Sequence, residues 1–285
     1  MIVMTRFTGS MQAFLVAGAL AVGTAGVAAA ADMPLPPPPV IEPVVVAPFS
    51  GWYLRGDAGI GINQMSSFVS NLAPIVPGFQ YNGSGLGTQA IFGLGVGYQF
   101  NNWLRADITG EYRTDSKYWA NESYAGGVGY GPGSDGYSGA VHGGVFLANG
   151  YVDIGTWYGF TPFVGAGVGI ADTTFHGVTD VGLGPSNYGG YGTAADRTST
   201  QLAWALMAGV SYAISPNWRV ELSYRYLDMG SVRSNGIVCI PLCAPPYEVQ
   251  SFHMASNDIR VGLRYLFAEV PPLAPPLQGP VISKY

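Results

Sequence analysis

The sequence predicts an all-β fold, an eight-stranded antiparallel transmembrane β-barrel with short turns at one end and long loops at the other. Apolar and polar residues alternate over stretches of about ten residues, the period of a strand. The chain has 48% hydrophobic residues, only 10% charged residues and 42 glycines. Beyond residue 30 it lacks the run of about 18 apolar residues that a spanning helix needs. A closed barrel then satisfies the backbone hydrogen bonds in lipid.

The two ends of the chain differ from its middle. Residues 1–30 resemble a secretory signal peptide, with Arg6, an apolar segment at 14–22 and three alanines at 28–30. A retained anchor is the alternative, which the shortness of the apolar segment disfavours. Cleavage after residue 30 leaves a Pro-rich linker at 31–49, a barrel domain at 50–267 and a Pro-rich tail at 268–285.

The two faces of the stretches distinguish a membrane barrel from a soluble sandwich. In residues 218–227 the alternate positions are aromatic or aliphatic, and the intervening ones include Arg219, Glu221 and Arg225. Aromatic residues cluster where the stretches end: Trp52, Tyr98, Phe100, Trp103, Trp218, Tyr265 and Phe267. Such clusters are typical of the interfacial girdles around a lipid-facing band.

The connections predict the topology. Residues 101–102, 155–159 and 215–217 form short turns, and residues 63–86, 114–136, 172–197 and 228–257 form long loops. Three short and four long connections join eight strands and leave both termini on the short-turn side. In bacterial barrels that side is periplasmic, so we expect both termini to be periplasmic.

The inward positions predict an ion network in the lumen. Six arginines and six acids make it formally neutral: Arg55, Asp57, Arg105, Asp107, Glu111, Asp153, Arg219, Glu221, Arg225, Asp258, Arg260 and Arg264. Because eight strands enclose little more than their own side chains, the network predicts a plug. A narrow porin for small solutes remains open, since glycines on the inner faces of the second and fifth strands could leave a passage.

Few residues suggest chemistry. Cys239 and Cys243 predict a local disulfide in an oxidising compartment, and their segment offers too few ligands for a metal. Ser251 and His253 share a strand face, as a lipid hydrolase would require, but no orienting acid is recognisable. The glycines of residues 165–169 precede no helix and do not predict a phosphate site. We expect no enzymatic activity, no cofactor and no metal.

Three segments resemble a known family. They are NGYVDIGTWYGFTPFVGAGVG at 149–169, YRYLD at 224–228 and GLRYLF at 262–267. They are similar to the small alphaproteobacterial outer-membrane barrels, the porin-like, opacity-protein-related surface antigens. The resemblance implies an eight-stranded barrel that supports envelope integrity and surface contact, with weak solute passage at most.

The resemblance also implies partners. Some family members are bonded to peptidoglycan through a mature Ala-Asp start, which Ala31 and Asp32 match. Family barrels commonly end at an aromatic residue read by the barrel-assembly machinery, whereas Phe267 is followed by the tail. We therefore expect contacts with outer-membrane lipid, lipopolysaccharide, the assembly machinery and peptidoglycan. The net charge of −5 argues against nucleic acid.

Overall fold

The computed structural model describes residues 50–127, 131–240 and 245–267. These residues form eleven strands: β1 (Gly51–Ser70), β2 (Gln80–Leu86), β3 (Thr88–Gln99), β4 (Leu104–Tyr124), β5 (Gly133–Asp153), β6 (Phe160–Gly182), β7 (Tyr191–Thr193), β8 (Arg197–Ala213), β9 (Trp218–Arg233), β10 (Val238–Ile240) and β11 (Gln250–Leu266). Within the same ranges, no helix has the length and apolarity needed to cross a membrane.

Eight of these strands close into a ring. Each pairs antiparallel with its neighbours in the order β1, β3, β4, β5, β6, β8, β9, β11, and β11 pairs again with β1. Leu54 of β1 shows the closure, since it lies opposite Val96 on one side and Tyr265 on the other. The ring confirms the predicted eight-stranded barrel, and a closed sheet leaves no unpaired edge in the bilayer.

The two ends of the ring differ in their connections. Short connections join β3 to β4, β5 to β6 and β8 to β9 at the end where β1 begins and β11 stops, which we call the turn end. Asn101 closes the first of these turns, because its side-chain oxygen accepts hydrogen bonds from the backbone N–H groups of Trp103 and Leu104. The opposite end, with the long connections, is the loop end.

The outer wall carries a continuous apolar band. Leu94, Leu202 and Ile108 point outward with 74%, 69% and 65% of their surface exposed. Aromatic rings border the band at the turn end, where Trp52 packs edge-on against Tyr98 with ring centroids 5.3 Å apart. Side chains this apolar, exposed around the whole circumference, indicate contact with lipid.

The predicted extent of the long loops is wrong. Strand β4 continues to Tyr124 and β6 to Gly182, well into segments expected to be loops, and the short strands β2, β7 and β10 extend the wall further. The composition of these segments concealed the strands, because glycine, serine and asparagine are weak strand formers. Burial of inward side chains beyond the apolar band compensates for that weakness.

The interior has two tiers. Charged side chains fill it toward the turn end, and an apolar tier fills it toward the loop end. Buried members of the apolar tier include Tyr118, Val141, Val145, Phe175, Ala203, Leu227, Met229, Val232, Phe252 and Met254. This second tier was not predicted, since most of these residues lie in segments expected to be loops.

Candidate functional site

The charged tier begins at the turn end with Arg55. Its guanidinium donates to both oxygens of Asp57, at 3.0 Å from Nε and 2.7 Å from Nη2. It also donates at 3.0 Å to Asp107 of β4, two strands along the ring, and at 2.8 Å to the hydroxyl of Tyr151. Two carboxylates and a hydroxyl therefore satisfy one buried cation, as burial of a charge requires.

Glu221 is a second centre of the tier. Its Oε1 lies 3.0 Å from Arg264 Nη2 and 3.5 Å from Arg105 Nη1. Arg105 also donates at 3.2 Å to Asp153, and its guanidinium lies 4.1 Å from the ring centroid of Tyr151. Arginines that share carboxylates and stack on an aromatic ring form a rigid packing element rather than a mobile lining. Arg219 lies half-buried beyond them.

The third centre joins Glu111, Arg225 and Asp258. Arg225 Nη2 lies 2.7 Å from Glu111 Oε1 and 2.6 Å from Asp258 Oδ2. Arg260 connects this centre to the first, at 3.5 Å from Glu111 and 3.3 Å from Asp57. All twelve sequence-predicted lumen residues point into the interior. All are buried except Arg219.

Sequence reasoning missed Arg113. It is 2% exposed and donates to Glu111, Ser256 and both oxygens of Asp258. The predicted strand ended at residue 112, so Arg113 was not counted and the six-to-six balance was incomplete. Continuing the period of two by one more residue would have found it. With Arg113 the tier holds seven arginines against six acids.

An acidic cluster lies at the loop end, beyond the apolar band. Glu248 accepts hydrogen bonds from Tyr137 at 2.7 Å and Ser70 at 2.9 Å, and Glu122 lies beside it. Burial, followed by the charge of Glu248, raises the pKa of Glu122 to about 9. A cavity of about 300 Å³ adjoins the cluster.

Two further carboxyls belong to this cluster. Burial, followed by the charge of Glu248, raises the pKa of Asp135 to about 6. Burial, followed by the charge of Asp135, raises the pKa of Asp180 to about 7. The charges of so many acids so close together favour their protonated forms. Their strands had been assigned to loops, so no periodicity pointed to them.

All three histidines lie on the outer wall and face an aspartate. His142 and His176 both approach Asp115, at 3.1 and 3.0 Å. The hydrogen bond from His176, and then that from His142, lowers the pKa of Asp115. His253 lies 2.8 Å from Asp228. None of these pairings was predicted from the sequence, because each joins residues from different strands.

Two predicted sites fall outside the described residues. Ala31 and Asp32 lie there, and so does Cys243. Cys239 lies in β10. Because Cys243 lies outside the described residues, the disulfide between the two stays a prediction.

Comparison with known proteins gives a family match over most of the chain. A family model described as "Outer membrane protein beta-barrel domain" matches residues 17–267. An uncharacterized protein of Brucella abortus is 31% identical over 233 residues, which are 73% of this chain and 78% of that protein. Outer membrane protein PagN of Salmonella typhimurium is 29% identical over 125 residues, 43% of this chain and 48% of PagN.

Among solved structures, OprG of Pseudomonas aeruginosa superposes with a TM-score of 0.44 at 14% identity, covering 77% of this chain and 97% of OprG. The family match covers most of the chain, including every strand of the ring. The chain belongs to the outer membrane protein β-barrel domain family and is a protein of the bacterial outer membrane.

Proposed function

We propose that this protein is a plugged structural barrel that strengthens the outer membrane and displays its loop end at the cell surface. Short turns face the periplasm in bacterial barrels, which supports a periplasmic position for the turn end and both termini. Lipid and lipopolysaccharide would contact the apolar band, and the barrel-assembly machinery would act during insertion. The proposal includes no catalytic role and no nucleic-acid partner.

The observation that carries the proposal is the filling of the interior by two successive tiers. In the charged tier, Arg105, Arg225 and Arg264 are each 0% exposed. In the apolar tier, aromatic side chains from β4, β6 and β11 pack together inside the barrel. The Tyr118 ring centroid lies 4.9 Å from that of Phe175 and 5.6 Å from that of Phe252. An aqueous pore would leave side chains of both tiers accessible to solvent.

The narrow porin is the second candidate, and the inward glycines favour the plug over it. A Cβ at Gly95 would lie 3.1 Å from Arg55 Cγ. A Cβ at Gly209 would lie 2.7 Å from Phe163 Cζ. Large neighbours therefore occupy the space that the glycines leave, and no passage follows from the glycine content.

Solute efflux from proteoliposomes tests the proposal. Purified chain without its leader is refolded into lipid vesicles that enclose a small sugar or amino acid. We expect efflux at the rate of protein-free vesicles, with a general porin as the positive control. Efflux that rises with the amount of inserted protein would establish the porin and overturn the plug.

We further propose that the N-terminus is tethered to peptidoglycan. The mature Ala31-Asp32 start and the Pro-rich linker at 31–49 support this. A polyproline-like segment of about sixteen residues reaches roughly 50 Å, enough to leave the membrane. Muramidase digests of cell walls should yield the Ala31 amine bonded to a stem peptide. Recovery of only the free amine would exclude the tether.

A lipid hydrolase is the most distant alternative. Asp228 lies 2.8 Å from His253 and would serve as the orienting acid that the sequence did not reveal. The structure describes both His253 and Ser251 and shows no hydrogen bond between them, however, and this disfavours a catalytic pair. The protein in mixed micelles should release no fatty acid from phospholipid. Release that disappears in both S251A and H253A variants would establish the hydrolase instead.

A further inference from the structure

Three side chains from neighbouring strands converge on the outer wall, just beyond the apolar band on the loop-end side. Asp115 of β4, His142 of β5 and His176 of β6 place one oxygen and two ring nitrogens within 4.8 Å of one another. The two imidazole rings lie beside each other, with centroids 4.7 Å apart. The described residues contain no other group of three or more metal-ligating side chains this close.

Local irregularities of the strands bring the three together. The pairing of β4 with β5 shifts register between Arg113 and Ser116, at the position of Asp115. The pairing of β5 with β6 shifts between Ser138 and Ala140, beside His176. Such bulges reorient side chains and often occur next to functional sites. Two bulges flank this one cluster.

We propose that Asp115, His142 and His176 form a binding site for a divalent transition-metal ion of the zinc class. Asp115 Oδ1 lies 3.1 Å from His142 Nδ1 and 3.0 Å from His176 Nε2. Ligands about 2.0–2.1 Å from a tetrahedral zinc ion are themselves about 3.3 Å apart. The two measured separations are close to this value and all three atoms lie within 4.8 Å of one another, so side-chain rotation would place an ion between them.

The donor set selects the kind of ion. Two imidazoles and one carboxylate suit Zn²⁺, Ni²⁺ or Cu²⁺, whereas Ca²⁺ and Mg²⁺ prefer oxygen ligands alone. The three side chains are partly exposed, at 59%, 34% and 28% for Asp115, His142 and His176. An ion can therefore enter from outside, and a water or an external anion would complete its coordination. The bound ion would clamp β4, β5 and β6 together.

Zinc titration of the refolded, untagged mature chain in detergent micelles tests the site, after chelator treatment. Isothermal titration calorimetry should show one equivalent of Zn²⁺ bound, and Co²⁺ should give the visible absorption of a tetrahedral or five-coordinate site. Bound zinc should also stabilise the folded barrel against unfolding. At a free zinc concentration of 100 times Kd, the unfolding equilibrium constant should fall about 100-fold.

Matched variants separate this site from adventitious binding. Three variants, D115N, H142Q and H176Q, should each fail to bind the one equivalent of Zn²⁺ and should lose the cobalt absorption. Each should keep the electrophoretic mobility of the folded barrel. H253Q removes the other histidine–aspartate pair on the outer wall, which has only two ligands, and should bind as the unmodified chain does. Binding that persists in all three variants, or is lost equally in H253Q, would overturn the proposal. So would the absence of any stoichiometric binding.

Discussion

Arg113 and Asp258 form a two-point ion pair that joins β4 to β11 through the interior. Arg113 Nη1 lies 3.0 Å from Asp258 Oδ2, and Nη2 lies 2.8 Å from Oδ1. The two residues are 145 positions apart in sequence and both are buried. A bidentate pair of this kind fixes the orientation of both side chains. It lies at the boundary between the charged tier and the apolar tier.

Replacing Arg113 by methionine should destabilise the barrel by about 3 kcal/mol, because it leaves the acids around it with one cation fewer in a buried site. Urea unfolding in lipid vesicles, followed by tryptophan fluorescence, measures the change. K117M on the exposed face of the same strand is the control, with an expected change within about 0.5 kcal/mol. Equal effects of the two substitutions would contradict a structural role for the pair.

The inward glycines of β3 should tolerate no side chain. A Cβ at Gly97 would lie 2.5 Å from the carbonyl oxygen of Ala106 and would overlap the ring of Tyr53. We expect G97A to cost about 1–3 kcal/mol through overpacking. At Gly150 on the outer face a Cβ would meet nothing within 4 Å, so G150A should be close to neutral. The same urea titration compares them, and a neutral G97A would indicate free space in the lumen.

The acidic cluster should make the loop end less stable as pH rises. The pKa of Glu122 is about 9 in the folded chain against an ordinary value of 4.5, so the folded state holds the proton more tightly. The stabilisation contributed by this proton should therefore be complete below about pH 4.5 and should be lost progressively up to about pH 9. Asp135 and Asp180 add the same trend up to about pH 6 and 7.

Urea unfolding at pH 5 and pH 8 checks this dependence. The unmodified barrel should be more stable at pH 5, and E122Q should show a smaller difference because it removes one of the titrating groups. D172N, which changes an exposed outward acid, should retain the full difference. A stability that rises from pH 5 to pH 8, or an E122Q variant with an unchanged difference, would contradict the buried state of Glu122.

The predicted disulfide has a direct chemical test. Alkylation of the protein isolated from outer membranes without reductant should leave Cys239 and Cys243 unmodified, and reduction should expose two alkylation sites. Cys239 lies in β10, away from the charged tier. Loss of the predicted bridge should still cost C239S about 2 kcal/mol, because the bridge closes a short loop in the unfolded chain. Two alkylated cysteines before reduction would show that the bridge does not form.

The part of the barrel within the apolar band could be predicted from sequence, because lipid imposes a strict alternation there. Leu104 and Ile108 face out and Arg105 and Asp107 face in, as the period of two required. The ring order followed from the alternating lengths of the connections. Both properties are local, and a single sequence contains them.

The part beyond the band could not be predicted in the same way. There both faces of a strand can be polar, and the apolar tier depends on contacts such as that between Tyr118 and Phe252, which come from distant segments. The cluster of histidines could not be predicted from the sequence either. Asp115, His142 and His176 meet only because three strands are neighbours with particular registers, and no spacing in the chain expresses that.

Conductance across a planar lipid bilayer shows whether the lumen is filled. A membrane with the leader-free barrel inserted in its folded form should carry no steady current above that of bare lipid, because ion pairs and packed rings fill the lumen along its length. Insertion must be verified by protease protection in the same preparation. Discrete, stable channel openings that scale with the inserted protein would instead show an open lumen.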